Sequence, residues 1–191
     1  MSDTDRKDGE SVTVEFSLTD AEHLPSVMHG LLQVHREVSG DDGAAESETA
    51  FEERLATAAA KPGWTAAIGY ENGNPVGYCH GFTLARDTDW WFHLIVPVPH
   101  YITYENGHRT AVLDDIALRK SLRGTGVAAR LHDVWLSRRP EERVTLRVDA
   151  TLGNGALQAA CESWGYRRVA DRREQLESRV YTAMTRPVRH L

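Results

Sequence analysis

The segment that decides the fold is LDDIALRKSLRGTGVAARLHDVW, which runs from Leu113 to Trp135. Its first residues predict a strand, and a short basic turn leads from that strand into RGTGVA. Apolar residues then recur at the spacing of one helix face, at Val127, Leu131, Val134 and Trp135. The segment therefore predicts a strand, a glycine-containing turn and an amphipathic helix.

The turn itself has the chemistry of an anion site. Gly124 and Gly126 lack a Cβ and let backbone N–H groups approach a ligand closely. These amides precede a helix, where unpaired N–H donors and the helix dipole favour negative charge. Arg123 adds a fixed guanidinium beside them. The turn suits a pyrophosphate, and it matches neither a Walker A loop nor the GxGxxG fingerprint.

Elements predicted on either side of this segment alternate between strand and helix. Strands are predicted over 11–18, 64–70, 76–85, 112–118, 143–149, 167–170 and 179–184, and helices over 19–38, 48–60, 126–138 and 154–164. Asn72-Gly73 predicts a hairpin between two of the strands. The order indicates an α/β or α+β fold with helices packed on a sheet.

Length and charge limit the class of protein. A chain of 191 residues suits one domain over 11–191, preceded by an acidic tail over 1–10 that we expect to be flexible. The net charge of −6 argues against general nucleic-acid binding. We expect no secretory signal, because residues 1–10 hold no apolar run, and we expect no membrane span, because the longest apolar stretch, at 94–98, is too short. We expect a cytoplasmic protein without a membrane partner, whose cysteines, Cys79 and Cys161, stay reduced.

Positive charge is concentrated in one part of the acidic chain. Residues 119–147 hold eight basic and three acidic side chains, an excess of five. One interpretation is a solvated helix face, which is the usual position of a charge run. The other is a local site for an anionic ligand.

Two linked motifs resemble the GNAT (Gcn5-related) N-acetyltransferases. Arg123 to Ala128 matches the family signature Arg/Gln-x-x-Gly-x-Gly/Ala, and LDDIAL resembles the strand before it in polyamine-type members. Asn154, Cys161 and Gly165-Tyr166 fall where the family usually has Asn, Tyr and Gly-Phe/Tyr. The resemblance covers about residues 11–185. It implies a mixed, mostly antiparallel sheet of six to seven strands with about four helices.

The resemblance also implies a reaction, the transfer of an acetyl group from acetyl-CoA to a primary amine. The pyrophosphate of CoA would bind Arg123 and the backbone of Gly124, Thr125, Gly126, Val127 and Ala128. The pantetheine arm would bind along Ile116, Ala117 and Leu118, through the backbones of the first and last of these. Asn154 either binds the cofactor or caps the last helix.

Asp115 and Asp114 are the candidate bases, in that order. A lysine-like amine has a pKa near 10.4, so only on the order of 1 in 10³ molecules is neutral at pH 7, and a base raises that fraction. Adjacent residues on a regular strand point to opposite faces, so we expect only one carboxylate to reach the cleft unless a bulge intervenes. The alternative for each is a solvent-facing acid or an ion pair.

Cys161 occupies the position of the Tyr that protonates the CoA thiolate in many members of the family. A thiol is able to donate that proton, but Cys161 also lies on an apolar helical stripe and is equally a small buried hydrophobe. Water or another tyrosine, namely Tyr166, Tyr101 or Tyr104, is the alternative acid.

The irregular segment 86–109 is the candidate acceptor wall. Its aromatic residues Trp90, Trp91 and Tyr101, with acids nearby, suit an organic cation. The alternative is that the two tryptophans fill the edge of the core or make a dimer contact. Histidines such as His80 and His132 are interpreted as structural, and no spacing predicts a metal site.

We therefore expect an acetyltransferase that acts on a cationic small-molecule amine, with a homodimer as an open possibility. A protein N-terminus or a lysine is the alternative acceptor. A GNAT-fold protein that binds acyl-CoA without turnover is a second hypothesis, because the usual Tyr is missing. A nucleic-acid binder that uses residues 119–147 is a third, and the acidic total argues against it.

Overall fold

The computed structural model describes residues 13–39, 46–149, 155–175 and 178–188. Its strands are β1 Val14–Asp20, β2 Thr65–Glu71, β3 Asn74–Thr83, β4 Thr110–Leu118, β5 Arg143–Val148, β6 Arg167–Arg172 and β7 Tyr181–Pro187. Its α-helices are α1 Leu24–Ser39, α2 Glu48–Ala59, α3 His100–Thr103, α4 Val127–Leu136 and α5 Ala156–Ser163. The predicted tail over 1–10 and Asn154 lie outside the described residues.

The strands form one mixed sheet in the order β1-β2-β3-β4-β5-β7-β6. Neighbouring strands are antiparallel except β4 and β5, which are parallel. Their pairing covers only Thr110–Val112 of β4 against Arg143–Thr145 of β5. The rest of the two strands is unpaired on this side, so the sheet opens into a cleft at its centre.

Helices cover both faces of the sheet. Helices α1 and α2 bury Leu31, Phe51 and Leu55 against one face, which we call the α1/α2 face. Helices α4 and α5 bury Trp135 and Cys161 against the other, the α4/α5 face. Each face thus has its own apolar core, and the cleft between β4 and β5 connects the two sides.

Gly81 of β3 shows how closely α4 packs on the sheet. A Cβ at this position would lie 1.8 Å from the carbonyl oxygen of Val112 and 2.5 Å from Cζ2 of Trp135. Only glycine fits between the neighbouring strand and the indole. The contact fixes the helix that carries the glycine turn at its start.

The predicted order of strands and helices is confirmed, with shifts of a few residues at the ends of elements. The Asn72-Gly73 hairpin forms with both residues at positive φ, as a two-residue turn requires. Segment 86–109 is mostly irregular but contains α3 and a bridge from Leu94 to Arg172. Both cysteines are free, and no helix in the described ranges is long and apolar enough to span a membrane.

Candidate active site

The predicted glycine turn leads directly into α4. A single 3₁₀ turn over Lys120–Leu122 is followed by Gly124 at φ +77° and Gly126 at φ +83°. Both values lie in the left-handed region that favours glycine. Gly126 caps α4 without a side-chain hydrogen bond, and the turn from Arg123 to Gly126 is exposed. The N-terminal amides of α4 therefore open to solvent.

The turn has room and donors for an anion. A Cβ at Gly124 or Gly126 would meet no atom of the described residues within 4 Å, so these residues leave the space above the backbone open. Within the described residues, the N–H groups of these two glycines donate to no backbone carbonyl. The N–H groups in the first turn of α4 have no carbonyl acceptor within the helix, because no helical turn precedes them. These donors fit the phosphate that the sequence predicts here.

The basic run 119–147 does not form a single surface. Arg119 pairs with Glu37 of α1, with 2.7 Å between Nε and Oε2. Arg139 and Arg143 are engaged in buried pairs with Glu141 and Glu105. The interpretation of the run as one anion site is therefore wrong for these residues, because folding distributes them over separate contacts.

The cleft between β4 and β5 is apolar along its walls and polar at one end. Its volume is about 220 Å³, and its apolar lining consists of Leu113, Ile116, Leu146, Val148, Leu157 and Cys161. From Leu113 to Leu118, the backbone of β4 has no ladder partner in β5. Of the predicted pantetheine contacts, Ile116 lines the cleft, whereas the side chains of Ala117 and Leu118 are buried in the cores.

A β-bulge changes the expected positions of the two carboxylates. Asp115 lies opposite His80 and Leu113 opposite Gly81, so Asp114 is an extra residue in β4. Both carboxylates therefore approach His80, with Asp114 Oδ2 3.8 Å from Nδ1 and Asp115 Oδ2 4.0 Å from Nε2. The expectation that only one carboxylate reaches the cleft applies to a regular strand; here the bulge intervenes, and both carboxylates line the cleft.

Asp115 is held by partners from two other elements. Arg54 of α2 donates from Nη2 to Asp115 Oδ2 over 3.2 Å, and the Tyr78 hydroxyl donates to the same oxygen over 3.1 Å. Arg54 also donates two bonds to Glu46 at 2.9 and 3.0 Å. The carboxylate of Asp115 is therefore neutralised by a guanidinium that is itself fixed.

His80 lies buried beneath both carboxylates. Its ring is fully inaccessible, and neither nitrogen has a hydrogen-bond partner within the described residues. Burial lowers the pKa of His80, and the two aspartates oppose that effect only in part. The imidazole is therefore neutral at pH 7, and at these distances it makes no hydrogen bond to either carboxylate.

A second cavity of about 330 Å³ adjoins the cleft, and its lining includes Trp90, Asp114, Arg147, Arg172, Arg179 and Tyr181. Arg147 alternates along β5 with Leu146 and Val148, which face α4 and α5, so its side chain lies on the α1/α2 face. Asp114, Arg147 and Tyr181 line both the cleft and this cavity. The two spaces therefore meet at these residues.

Segment 86–109 contributes only part of its predicted aromatic wall. Trp90 lines the second cavity. Trp91 is 6% exposed in the core, and its indole N–H donates to Glu105 over 2.9 Å. Tyr101 lies on α3 and is 69% exposed. Trp91 thus fills the core because its polar atom finds a buried acceptor, and Tyr101 points away from packed surroundings.

Cys161 is unsuited to donate a proton. It lies in the α4/α5 core with 1% of its surface exposed, and burial raises the pKa of its thiol to about 12. Tyr166 is no better placed, since its hydroxyl is hydrogen-bonded to Nε2 of buried His132 over 2.8 Å. Burial also raises the pKa of Tyr166 well above its ordinary value.

Tyr181, Arg147 and Arg54 are site residues that the sequence analysis missed. Tyr181 lies at the start of β7 and is the phenol that lines both spaces. A signal for Arg147 exists in RVTLRV, where alternation places Arg143, Thr145 and Arg147 on one face. Within the described ranges, no group of His, Cys, Asp or Glu is arranged to hold a metal ion.

Comparison by sequence gives no match, either to known family models or among curated proteins. Comparison with solved structures gives many matches. The ribosomal-protein-S18-alanine N-acetyltransferase from Escherichia coli is 16% identical, with a TM-score of 0.59 over 94% of this chain and 96% of that one. An aminoglycoside 6′-acetyltransferase type Ii is 14% identical, with a TM-score of 0.62 over 93% and 99%.

A GNAT-family acetyltransferase from Bacillus cereus is 12% identical, with a TM-score of 0.60 over 92% of this chain and 97% of that one. The likeness extends over nearly the whole of each protein. The chain therefore has the GNAT fold, as the resemblance in its sequence implies.

Proposed function

We propose that the protein is an acetyl-CoA-dependent N-acetyltransferase that acts on a primary amine. The observation that carries this proposal is the position of Asp114, a carboxylate at the junction of the apolar cleft and the second cavity. A thioester in the cleft and an amine in the cavity would meet there. The names of the similar structures, which include a ribosomal-protein-S18-alanine N-acetyltransferase and an aminoglycoside 6′-acetyltransferase, support acetyl transfer in general.

The donor would be held mainly by backbone groups. The amides of Gly124, Gly126, Val127 and Ala128 face the pyrophosphate, and Arg123 and Thr125 lie in the same exposed turn. The unpaired edge of β4 from Leu113 to Leu118 offers N–H and C=O groups to the pantetheine arm. The acyl donor would thus lie between the two diverging strands.

Asp114 is the base in this proposal, ahead of Asp115. Asp114 is exposed and lines both spaces, whereas Asp115 is paired with the Arg54 guanidinium and accepts a hydrogen bond from the Tyr78 hydroxyl. Asp114 takes a proton from the ammonium group of the acceptor. The freed amine nitrogen forms a bond to the thioester carbonyl carbon, the carbon–sulfur bond breaks, and CoA leaves as its thiolate. The thiolate takes a proton from Tyr181, and the Tyr181 phenolate then takes the extra proton that the acetylated nitrogen still carries.

Tyr181 is the proton donor to the leaving thiolate. Its phenol lines both spaces, whereas the thiol of Cys161 is a weaker acid than an ordinary thiol because of its burial. Asp115 and His80 act as positioning residues, since they pack against the bulge that presents Asp114. A residue of β7 would thus take the role of proton donor that many members of the family give to a Tyr at the position of Cys161.

The first test is a calorimetric titration with acetyl-CoA, followed by amine-dependent release of CoA measured as free thiol. We expect a micromolar Kd and release with at least one primary amine. A folded protein that does not bind acetyl-CoA would overturn the proposal. Binding without release for any amine would instead support an acyl-CoA-binding protein without turnover.

Replacement of the base tests the assignment of Asp114. We expect Asp114→Asn to lower kcat about 100-fold near pH 7, because an amide cannot accept the proton. The loss should shrink towards about pH 9, where more of the acceptor is already neutral. Asp115→Asn is the matched control, with a smaller loss that does not vary in this way. Equal pH-independent losses in both variants would contradict the assignment.

A further inference from the structure

The second cavity has a charge pattern that a purely cationic acceptor does not explain. Three arginines, Arg147, Arg172 and Arg179, line it together with two acids, Asp114 and Glu174. A diamine or polyamine in this space would meet an excess of guanidinium groups. The cavity therefore differs from the predicted aromatic wall with acids nearby, which would suit an organic cation alone.

Two of the three arginines have partners within the chain. Arg172 donates from Nη1 to Glu174 Oε1 over 2.7 Å and from Nε to the Phe92 carbonyl over 3.1 Å. Arg179 lies 3.7 Å from Asp149 Oδ2. The remaining guanidinium, that of Arg147, has no carboxylate of the described residues within ion-pair distance.

Arg147 is half-buried and incompletely paired. Its guanidinium carbon lies 3.7 Å from the ring centroid of Trp90, and Nη2 donates to the Trp90 carbonyl. Its Nε is buried and has no hydrogen-bond partner in the part of the chain that the structure describes. Within the described residues, no carboxylate oxygen lies within 4.0 Å of this guanidinium. The stacking on Trp90 holds its planar fork in place at the cavity.

This arrangement has an energetic cost that an anion would remove. Burial, and then the charge of Arg172, lowers the pKa of Arg147 to about 10, so the group still carries its charge at pH 7. The charges of Asp89, Glu174 and Asp114 oppose this lowering only in part. A half-buried cation without a close counter-charge is unfavourable, and a bound carboxylate or phosphate would supply two charge-assisted hydrogen bonds.

We propose that the amine acceptor also carries an anionic group, a carboxylate or a phosphate, which binds Arg147 while the amine lies at Asp114. The inference rests on the proposed function and narrows its substrate class to zwitterionic amines. Asp114 and Arg147 line the same two spaces, so one small molecule is able to reach both. Arg172 and Arg179 add positive potential around the anionic group.

The test compares amines that differ only in the anionic group. L-Lysine is paired with cadaverine, and O-phosphoethanolamine with ethanolamine, and the CoA-release rate gives kcat/KM for each. We expect the anionic member of at least one pair to exceed its partner about tenfold or more, as a lost charge-assisted bond of ~1.5 kcal/mol implies. A preference for L-lysine over cadaverine indicates that the anionic group is a carboxylate. A preference for O-phosphoethanolamine over ethanolamine indicates a phosphate.

Replacement of Arg147 assigns the preference to this residue. Arg147→Met should abolish the preference by slowing the anionic amine, while the partner that lacks the anionic group keeps its rate within about threefold. Arg147→Lys keeps the charge but loses the fork, so it should retain part of the preference. Arg167→Met, an exposed arginine five residues from Arg172 along β6, is the matched control and should keep all of it.

Failure of this inference is distinguishable from failure of the proposed function. Equal kcat/KM within both pairs, or a preference that survives Arg147→Met, would overturn the inference and leave the acetyltransferase proposal intact. If no amine is acetylated, calorimetric titration of the same four amines into the CoA-saturated protein still decides the matter. Tighter binding of the anionic member, lost in Arg147→Met, supports the inference, and equal binding overturns it.

Discussion

Arg139 and Arg147 lie eight residues apart, one just before β5 and one near its end, and both stack on a tryptophan. Arg139 donates to Glu141, to the Gly63 carbonyl and to the hydroxyls of two threonines, and its side chain is 2% exposed. Arg147 donates to one carbonyl and leaves Nε buried without a partner. One guanidinium is saturated by the protein, and the other is not.

The difference separates structural charge from charge that is kept for a ligand. A saturated buried pair gives local rigidity, because every donor has an acceptor with fixed geometry. An unsaturated guanidinium at a cavity lowers stability slightly and is expected where a ligand completes the pairing. Hydrogen-bond accounting at each arginine therefore distinguishes the two roles better than the number of arginines in the run.

The largest expected effect is at the saturated pair. Glu141→Gln leaves Arg139 buried without its counter-charge, since Glu141 Oε1 accepts from Arg139 Nη2 over 2.5 Å. We expect the free energy of unfolding to fall by about 3–5 kcal/mol, measured by urea denaturation near pH 7. Glu142→Gln, at a side chain that is 71% exposed, is the control and should change stability by less than ~0.5 kcal/mol. Equal effects would show that the pair is not structural.

His132 is a buried side chain whose charge depends on pH, and it extends the comparison of the two arginines. Burial, and then Arg186, lowers the pKa of His132 to about 3, below the ordinary value of 6.5. The unfolded chain therefore binds more protons between these values, so stability is complete above pH 6.5 and falls as the pH falls towards 3. Arginine cannot respond in this way and keeps its charge.

The expected loss from His132 is about 2 kcal/mol between pH 7 and pH 5. In urea titrations over the same pH range, the free energy of unfolding of His132→Gln should fall by about 2 kcal/mol less than that of the original protein, because glutamine does not titrate. His29→Gln, at an exposed histidine of α1, is the control and should follow the original protein. The lowered pKa of His80 also reduces the free energy of unfolding as the pH falls. This effect is the same in all three proteins and cancels when they are compared. Parallel curves for the original protein and His132→Gln would exclude the predicted role.

The smallest expected effect is at the unsaturated arginine. Arg147→Met removes one hydrogen bond and the stacking on Trp90, and it also removes a half-buried charge without a close partner. These changes oppose one another, so the free energy of unfolding should change by less than ~1 kcal/mol. A loss comparable with that of Glu141→Gln would erase the contrast between the two arginines.

Much of the fold follows from local sequence. Alternating apolar residues place β4 and β5, helical spacing places α4, and Asn72-Gly73 places the turn between β2 and β3. The two glycines of the anion turn adopt the left-handed backbone that their positions in the motif imply. These features depend on a few neighbouring residues, and a single sequence contains that information.

The site depends on pairing that local sequence does not contain. Whether Asp114 and Asp115 share a side of β4 is decided by the register against β3, which no local pattern reveals. Tyr181 reaches the cleft only because β7 pairs beside β5. The burial of Trp91 follows from an acceptor, Glu105, that lies fourteen residues further along the chain.

The bulge in β4 also has a consequence for how the reactive carboxylate is inherited. Asp114 is an extra residue in the pairing of β4 with β3. Leu113 and Asp115 therefore lie on opposite sides of the sheet, as two adjacent residues of a regular strand would. Loss or gain of this single codon would remove or add one carboxylate while Leu113 and Asp115 kept their sides of the sheet. Elsewhere in β4, a one-residue length change would exchange the two cores. A length change at position 114 can therefore alter the number of carboxylates at the site during evolution without exchanging the residues that face the two cores.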